Sequence, residues 1–298
     1  MSRRHLGMLI VLSAIWGSSF LFIKVGVRDL APSTLVLLRV GIAALALLPV
    51  TLAIEGYART GSELRRAWWP LLLVGLGNSA VPFWFLSWGE TRLDSGLAAV
   101  IQASAPIFSA LLAWRFITSQ RVTGVRLAGV LVGFLGVALL VGVQPSGAVL
   151  GALAVIVTAL CYAGATLYAG RALAGVSPLL IAFGSMIAAT LSMLPFGIAQ
   201  APSSFPGWKA VASVLVLGVV CSAVAYLLYF EIILGAGASR AILVTYLVPA
   251  IALLYGAVFL SEHVTLSAVV GLGLVLAGVA LGTGAFALRR RRPARLEV

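Results

Sequence analysis

The stretch 122–142, VTGVRLAGVLVGFLGVALLVG, is repeated in outline at 264–284 as VTLSAVVGLGLVLAGVALGTG. Val122, Gly129, Gly136, Val137, Ala138, Leu139 and Gly142 return as Val264, Gly271, Gly278, Val279, Ala280, Leu281 and Gly284, all at an offset of 142. Working outward, Pro106 returns as Pro249 at 143, and Pro32 and Pro49 return as Pro178 and Pro195 at 146. With 32 Gly in 298 residues the glycine matches decide little alone, but the 12 Pro are scarce enough that three ordered pairs mark a duplication. Short loop deletions account for the drift in offset. The copies divide the chain into 1–146 and 147–298.

Composition identifies the solvent. The chain is 62% hydrophobic and 9% charged, with a mean hydropathy of +1.14, whereas soluble domains carry about 25% charged residues. A bilayer core takes about 20 apolar residues per helix. Ten such runs can be cut, at 6–27, 33–54, 68–88, 95–116, 124–143, 148–170, 178–199, 208–233, 238–260 and 264–286. The fold class expected is an all-α membrane protein. Five crossings per copy is an odd number, so the second copy enters from the opposite side, an inverted-topology repeat with its site between the copies near the midplane.

Basic residues orient the bundle. With the N-terminus cytoplasmic, the inner segments hold Arg3, Arg4, Arg59, Arg65, Arg66, Arg115, Arg121, Arg126, Arg171, Arg240, Arg289 to Arg292 and Arg295, 15 in all; the outer side holds the 4 residues Lys24, Arg28, Arg92 and Lys209. Both termini are therefore expected in the cytoplasm. The net charge of +12 is a topological signal with a basic tail against an anionic leaflet, not a nucleic-acid footprint. MSRRHL at the start is similar to a twin-arginine export signal, but nine further runs follow, so it reads as an uncleaved first helix. Cys161 and Cys221 lie inside apolar runs.

Ser13 to Val25, SAIWGSSFLFIKV, resembles the opening of the drug/metabolite transporter superfamily, specifically its EamA-type ten-helix exporters. The resemblance extends through Arg39 in the second run and the Pro-centred QASAP at 102–106 and TYLVP at 245–249, and covers the whole chain. Within that family the chain is most similar to the amino-acid exporter branch typified by YddG. The resemblance implies an exporter of the bacterial inner membrane, acting on small metabolites without a cofactor. One departure is visible: the acid the family carries after each Pro-centred helix is Glu262 in the second copy but Gln120 in the first.

The residues themselves exclude much. No Walker A loop, HExxH, GxSxG or His/Cys cluster is present, and the two His, His5 and His263, sit at run edges. An ATP-driven pump or intramembrane hydrolase lacks its motifs, and no catalytic or metal-ligating residue is expected. The apolar runs do carry aromatic rings beside neutral polar groups. The substrate-binding candidates are Trp16, Ser19, Asn78, Ser79, Trp84, Gln102, Tyr162, Ser222, Tyr226, Thr245 and Tyr246. The repeat pairs Trp16 with Tyr162, Ser79 with Ser222 and Gln102 with Thr245. Asn78 and Gln102 face lipid only at a cost of several kcal/mol, so they bond across helices or line a wet cavity. Trp68, Trp69, Trp88, Trp114 and Trp208 near run ends read as interfacial anchors. Pro106 and Pro249 each remove a backbone donor mid-run, as hinges or as packing kinks. Gly129 with Gly133 and Gly278 with Gly282 form GxxxG pairs that pack helices closely; a homodimer through them is compatible with the sequence, and a monomer suffices.

Lys24, Arg39 and Glu231 are expected near helix ends, snorkelling or pairing at an interface, with no carboxylate at mid-membrane. The reading is an exporter working by alternating access around a neutral, aromatic-lined cavity, with neutral and aromatic amino acids as substrates and no required proton gradient. Glu231 and Glu262 are its weak points, since either could enter a proton path. The alternatives are a broad-specificity drug exporter and a non-transporting sensor or assembly subunit.

Overall fold

The computed structural model describes residues 2–116, 124–142, 146–241 and 243–282. Among them the chain is helical with no strand. The elements are α1 (Arg3–Gly26), α2 (Pro32–Glu55), α3 (Tyr57–Arg66), α4 (Trp68–Glu90), α5 (Ser95–Gln102), α6 (Ala105–Phe116), α7 (Val125–Gly142), α8 (Ser146–Ala172), α9 (Pro178–Ala199), α10 (Trp208–Ala236), α11 (Ala238–Ala241), α12 (Val244–Leu260) and α13 (Leu266–Gly282). By length and composition 8 helical segments suffice to cross a membrane, α5 and α6 counting as one, and α12 and α13 are shorter apolar helices. Pro32 and Pro178 begin their helices, where a fixed φ and a missing donor do no harm. Gly56 ends α2 at φ 79° and Gly237 ends α10 at φ 88°, a conformation that other residues adopt only with strain.

The duplication is visible in the packing. α1 packs on α10 and α12, and its counterpart α8 packs on α4, α5 and α6, while α2 meets its own counterpart α9 and α7 meets α13. Each first helix thus crosses to the opposite copy, and neither copy buries its apolar faces alone. The GxxxG pairs are explained here: a Cβ on Gly278 would stand 2.5 Å from Gly133 Cα, and one on Gly136 would stand 3.0 Å from the Val275 amide nitrogen. The glycines of α7 and α13 face each other, as small residues do where helix backbones touch.

Three departures from the expected spans matter below. The connection between the second and third runs holds the polar helix α3, and Thr60 is buried on it with its hydroxyl donating to Gly56 O at 2.8 Å. The third run continues past Trp88 to Glu90. The prolines also differ. The chain breaks at Ala103 and Ser104, ahead of Pro106, whereas Pro249 sits inside an unbroken α12.

Candidate functional site

Both α4 and α10 change register mid-course. Leu76–Ala80 and Val216–Val224 are wound as π-helix, and at the repeat offset of 143 residues 76–80 correspond to 219–223, inside the second segment. Such widened turns are rare and concentrate at functional sites. Asn78 and Ser79 lie on the first and Ser222 on the second. The same symmetry appears in the close approaches beside the widened turns. A Cβ on Gly75 would meet Ser185 O at 2.6 Å, and one on its counterpart Gly218 would meet Arg39 O at 3.0 Å. Arg39 and Ser185 are themselves counterparts at offset 146.

Arg39 is the charge at this seam. It is 5% exposed, its Nε donates to Ser222 Oγ at 3.2 Å, and its guanidinium lies 3.8 Å over the Phe83 ring. Tyr162, Cys221, Tyr226 and Glu90 are the titratable groups within its electrostatic reach. Beside it Asn78 Nδ2 donates to the Tyr226 hydroxyl at 3.3 Å, joining the copies again. Arg39 makes no ion pair within salt-bridge distance among the described residues, so the contacts of this buried cation are a hydroxyl and a ring face. The expectation of a snorkelling Arg39 and a neutral centre is thereby corrected. α2 packs against α9 and α10, which leaves its side chain no path to the surface.

The candidates separate into layers. Tyr162, Trp84 and Tyr226 pack on the main core around Phe83, Val40, Ala43 and Cys221. Trp16 stands apart, its ring 5.3 Å from that of Tyr229 in a smaller cluster with Leu9, Leu12 and Ile232, and only Ile15 and Val248 border both. Tyr246 packs on a third cluster around Ile107, Val275 and Val279. The pairing of Trp16 with Tyr162 by the repeat therefore does not bring the two into one layer. Ser19 donates to Trp16 O at 2.7 Å and stays within its own helix. Among the described residues Ser79 Oγ and Gln102 Oε1 are buried and make no hydrogen bond within ordinary distance and angle limits. Thr245 is half-buried. Trp84 stacks on Trp88 at 6.3 Å, and Trp88 underlies Arg92 at 3.7 Å.

A second polar group lies at the bundle end opposite the N-terminus. Glu262 Oε1 accepts from Ser95 N at 2.8 Å, and its Oε2 accepts from Ser95 Oγ at 2.9 Å and Gly96 N at 3.1 Å. This carboxylate from the second copy caps α5 of the first, where free amides and the helix dipole favour an anion. Lys24 Nζ donates to the main-chain oxygens of Glu90 at 2.8 Å and Leu93 at 2.6 Å. Glu90, the last residue of α4, is 0% exposed, a carboxylate buried inside this end of the bundle. It was missed because the run was cut at Trp88; the helix continues two residues more. At the other end Arg4 pairs with Glu231 at 3.0 Å on the surface, as expected for an interfacial pair. Gln120 and the run Arg289 to Arg292 lie outside the described residues.

The EamA-like transporter family model matches the chain twice, over residues 5–142 and 149–283, and the chain belongs to that family. It is a multi-pass membrane protein of the transporter class. Among similar proteins, an uncharacterized transporter of Archaeoglobus fulgidus is 29% identical over 89% of this chain and 93% of its own length. A probable terminal-alkyne amino-acid exporter of Streptantibioticus cattleyicolor is 30% identical over 92% and 91%. The uncharacterized inner membrane transporter YedA of Escherichia coli is 27% identical over 93% and 90%. A crystal structure 20% identical in sequence superposes with a TM-score of 0.68 over 98% of this chain and 100% of that one, so the fold is shared.

Proposed function

We propose that this protein exports amino acids across the bacterial inner membrane by alternating access between its two copies, with neutral and aromatic ones foremost. The observation that carries this reading is Arg39, buried on α2, which packs against both π-helical turns. A buried guanidinium without a carboxylate partner suits a substrate that brings its own carboxylate. Tyr162, Tyr226 and Trp84 surround the same core and would enclose an apolar or aromatic side chain. Asn78, Ser79 and Gln102 would bond the ammonium and carboxylate, with Trp16, Ser19, Thr245 and Tyr246 entering as the copies rearrange.

The Asn78–Tyr226 and Arg39–Ser222 bonds close the centre on itself, so substrate entry requires them to exchange partners. Ten crossings with both termini cytoplasmic fit the basic-residue count and the packing of each first helix on the opposite copy. The relative named as a probable amino-acid exporter supports the substrate class, as does the resemblance to the YddG branch. A broad exporter of cationic drugs fits less well, since Arg39 repels cations at the centre. Uptake of a panel of labelled amino acids into liposomes holding the purified protein tests the reading. Saturable uptake of amino acids with a free carboxylate, and none of their amides, is expected; uptake of organic cations alone would replace it.

A further inference from the structure

We propose that Glu90 is the proton-carrying residue that couples transport to a pH gradient, a role that rests on the transport reading above. Both carboxyl oxygens of Glu90 are fully buried and accept or donate no hydrogen bond among the described residues. An ionised carboxylate stripped of water and of partners costs several kcal/mol, whereas the neutral acid loses far less. The cation able to neutralise it is at hand and turned elsewhere. Lys24 Nζ spends two of its donors on the main-chain oxygens of Glu90 itself and of Leu93, and leaves the Glu90 carboxyl unmatched.

The charged groups facing Glu90 are Lys24 from α1, Glu262 from the segment ahead of α13, and Arg39 from α2. α8 presents Gly151, Ala154 and Val155 where it meets Gly89, with Tyr162 farther along it, and neither α5 nor α9 carries a titratable side chain. Two attractive charges and one repulsive charge thus surround a carboxyl that no described residue hydrogen-bonds. Lys24, Arg39 and Glu90 all belong to the first copy, and their repeat counterparts are Gly170, Ser185 and Ile233. The symmetric scaffold therefore carries one such site.

The Glu262 carboxylate closes this end by tying the second copy to Ser95 and Gly96. With this end closed and the opposite side open, water on the opposite side supplies the proton that bonds to one Glu90 oxygen. When the end opens, water takes that proton and the Lys24 ammonium moves onto the carboxylate left behind. One proton is bound and one released per cycle, and no other reactant is needed.

The test uses the full chain in liposomes, with the amino acids that the wild type exchanges at equal pH. Under a pH step of one sign the wild type should accumulate label above equilibrium, up to about tenfold per pH unit for one proton per neutral substrate. Glu90→Gln should still exchange label at equal pH and accumulate none, while Glu90→Asp regains part of the accumulation. Accumulation by Glu90→Gln equal to wild type, or wild-type equilibration without accumulation under steps of both signs, overturns the proposal. Infrared spectra of the purified proteins provide an arm that needs no substrate. The carbonyl stretch of a buried protonated acid should be present in wild type at neutral pH and absent from Glu90→Gln, and its absence from wild type also overturns the assignment. If no amino acid exchanges at all, the transport reading fails and the infrared band alone decides the state of Glu90.

Discussion

Arg39 of the first copy donates from Nε to Ser222 of the second, 3.2 Å away on the π-helical turn of α10. That bond joins α2 to a widened turn whose counterpart on α4 carries Asn78 and Ser79, so the buried cation and both register changes share one seam. The fold supplies a symmetric pair of turns, and the sequence charges only one side.

If Arg39 meets the substrate carboxylate, Arg39→Lys keeps the charge but loses the ring contact with Phe83 and the Nε geometry. Affinity for an amino acid should fall by about 10- to 100-fold, the equivalent of a charged hydrogen bond of about 1.5–3 kcal/mol. The corresponding amino-acid amide should bind both forms equally weakly. Titration of purified protein with each ligand measures this, and an equal loss for both ligands would make Arg39 a packing element.

The Glu262 clamp makes its own forecast. Glu262→Gln retains acceptors on one oxygen only and loses the charge opposite the α5 amides, so thermal unfolding in detergent should show a loss of about 1–3 kcal/mol. Arg4→Gln, which removes an exposed pair at the other end, should change stability by less than about 1 kcal/mol. Comparable effects from the two would deny the clamp its place between the copies.

The two prolines should now behave differently. Pro106 sits in the first turn of α6, just after a break at Ala103–Ser104, while Pro249 lies inside a continuous helix, so Pro106→Ala supplies an amide donor next to the break. Transport rate should drop severalfold more in Pro106→Ala than in Pro249→Ala, with binding affinity held within a few fold, because hinges govern exchange between states. Equal rates in both variants would reduce the prolines to packing kinks.

Topology is testable with single cysteines in a background lacking Cys161 and Cys221. Thr60 is buried and would resist any reagent, so Ser62, exposed on α3, is the better probe, with Ser203 for the opposite side. A membrane-impermeant thiol reagent should label Ser203→Cys in intact cells and spare Ser62→Cys; the reverse pattern would invert the bundle.

The sequence by itself determined the solvent, the duplication, the helix runs and the glycine seam. Each is a local or periodic property: apolar length, proline spacing, and small residues four apart. It also put Asn78, Ser79, Tyr162, Ser222 and Tyr226 among the candidates, because a neutral polar group in an apolar run has few cheap places to be. Only the tertiary structure decided what became of the charges. Arg39 and Glu90 lie near the ends of their own helices, where a chain read one helix at a time lets them reach water. Packing across the copies buries both, and that depends on which helix lies beside them. The π-helical turns were hidden for a related reason. Ser222 lies on the widened turn of α10, and Tyr226 and Tyr229 follow it on α-helix, Tyr226 packing on the main core and Tyr229 on Trp16. Beside the register changes lie close approaches such as Gly218 against Arg39 O and Gly75 against Ser185 O, which join residues more than a hundred positions apart and leave no periodic trace in either helix.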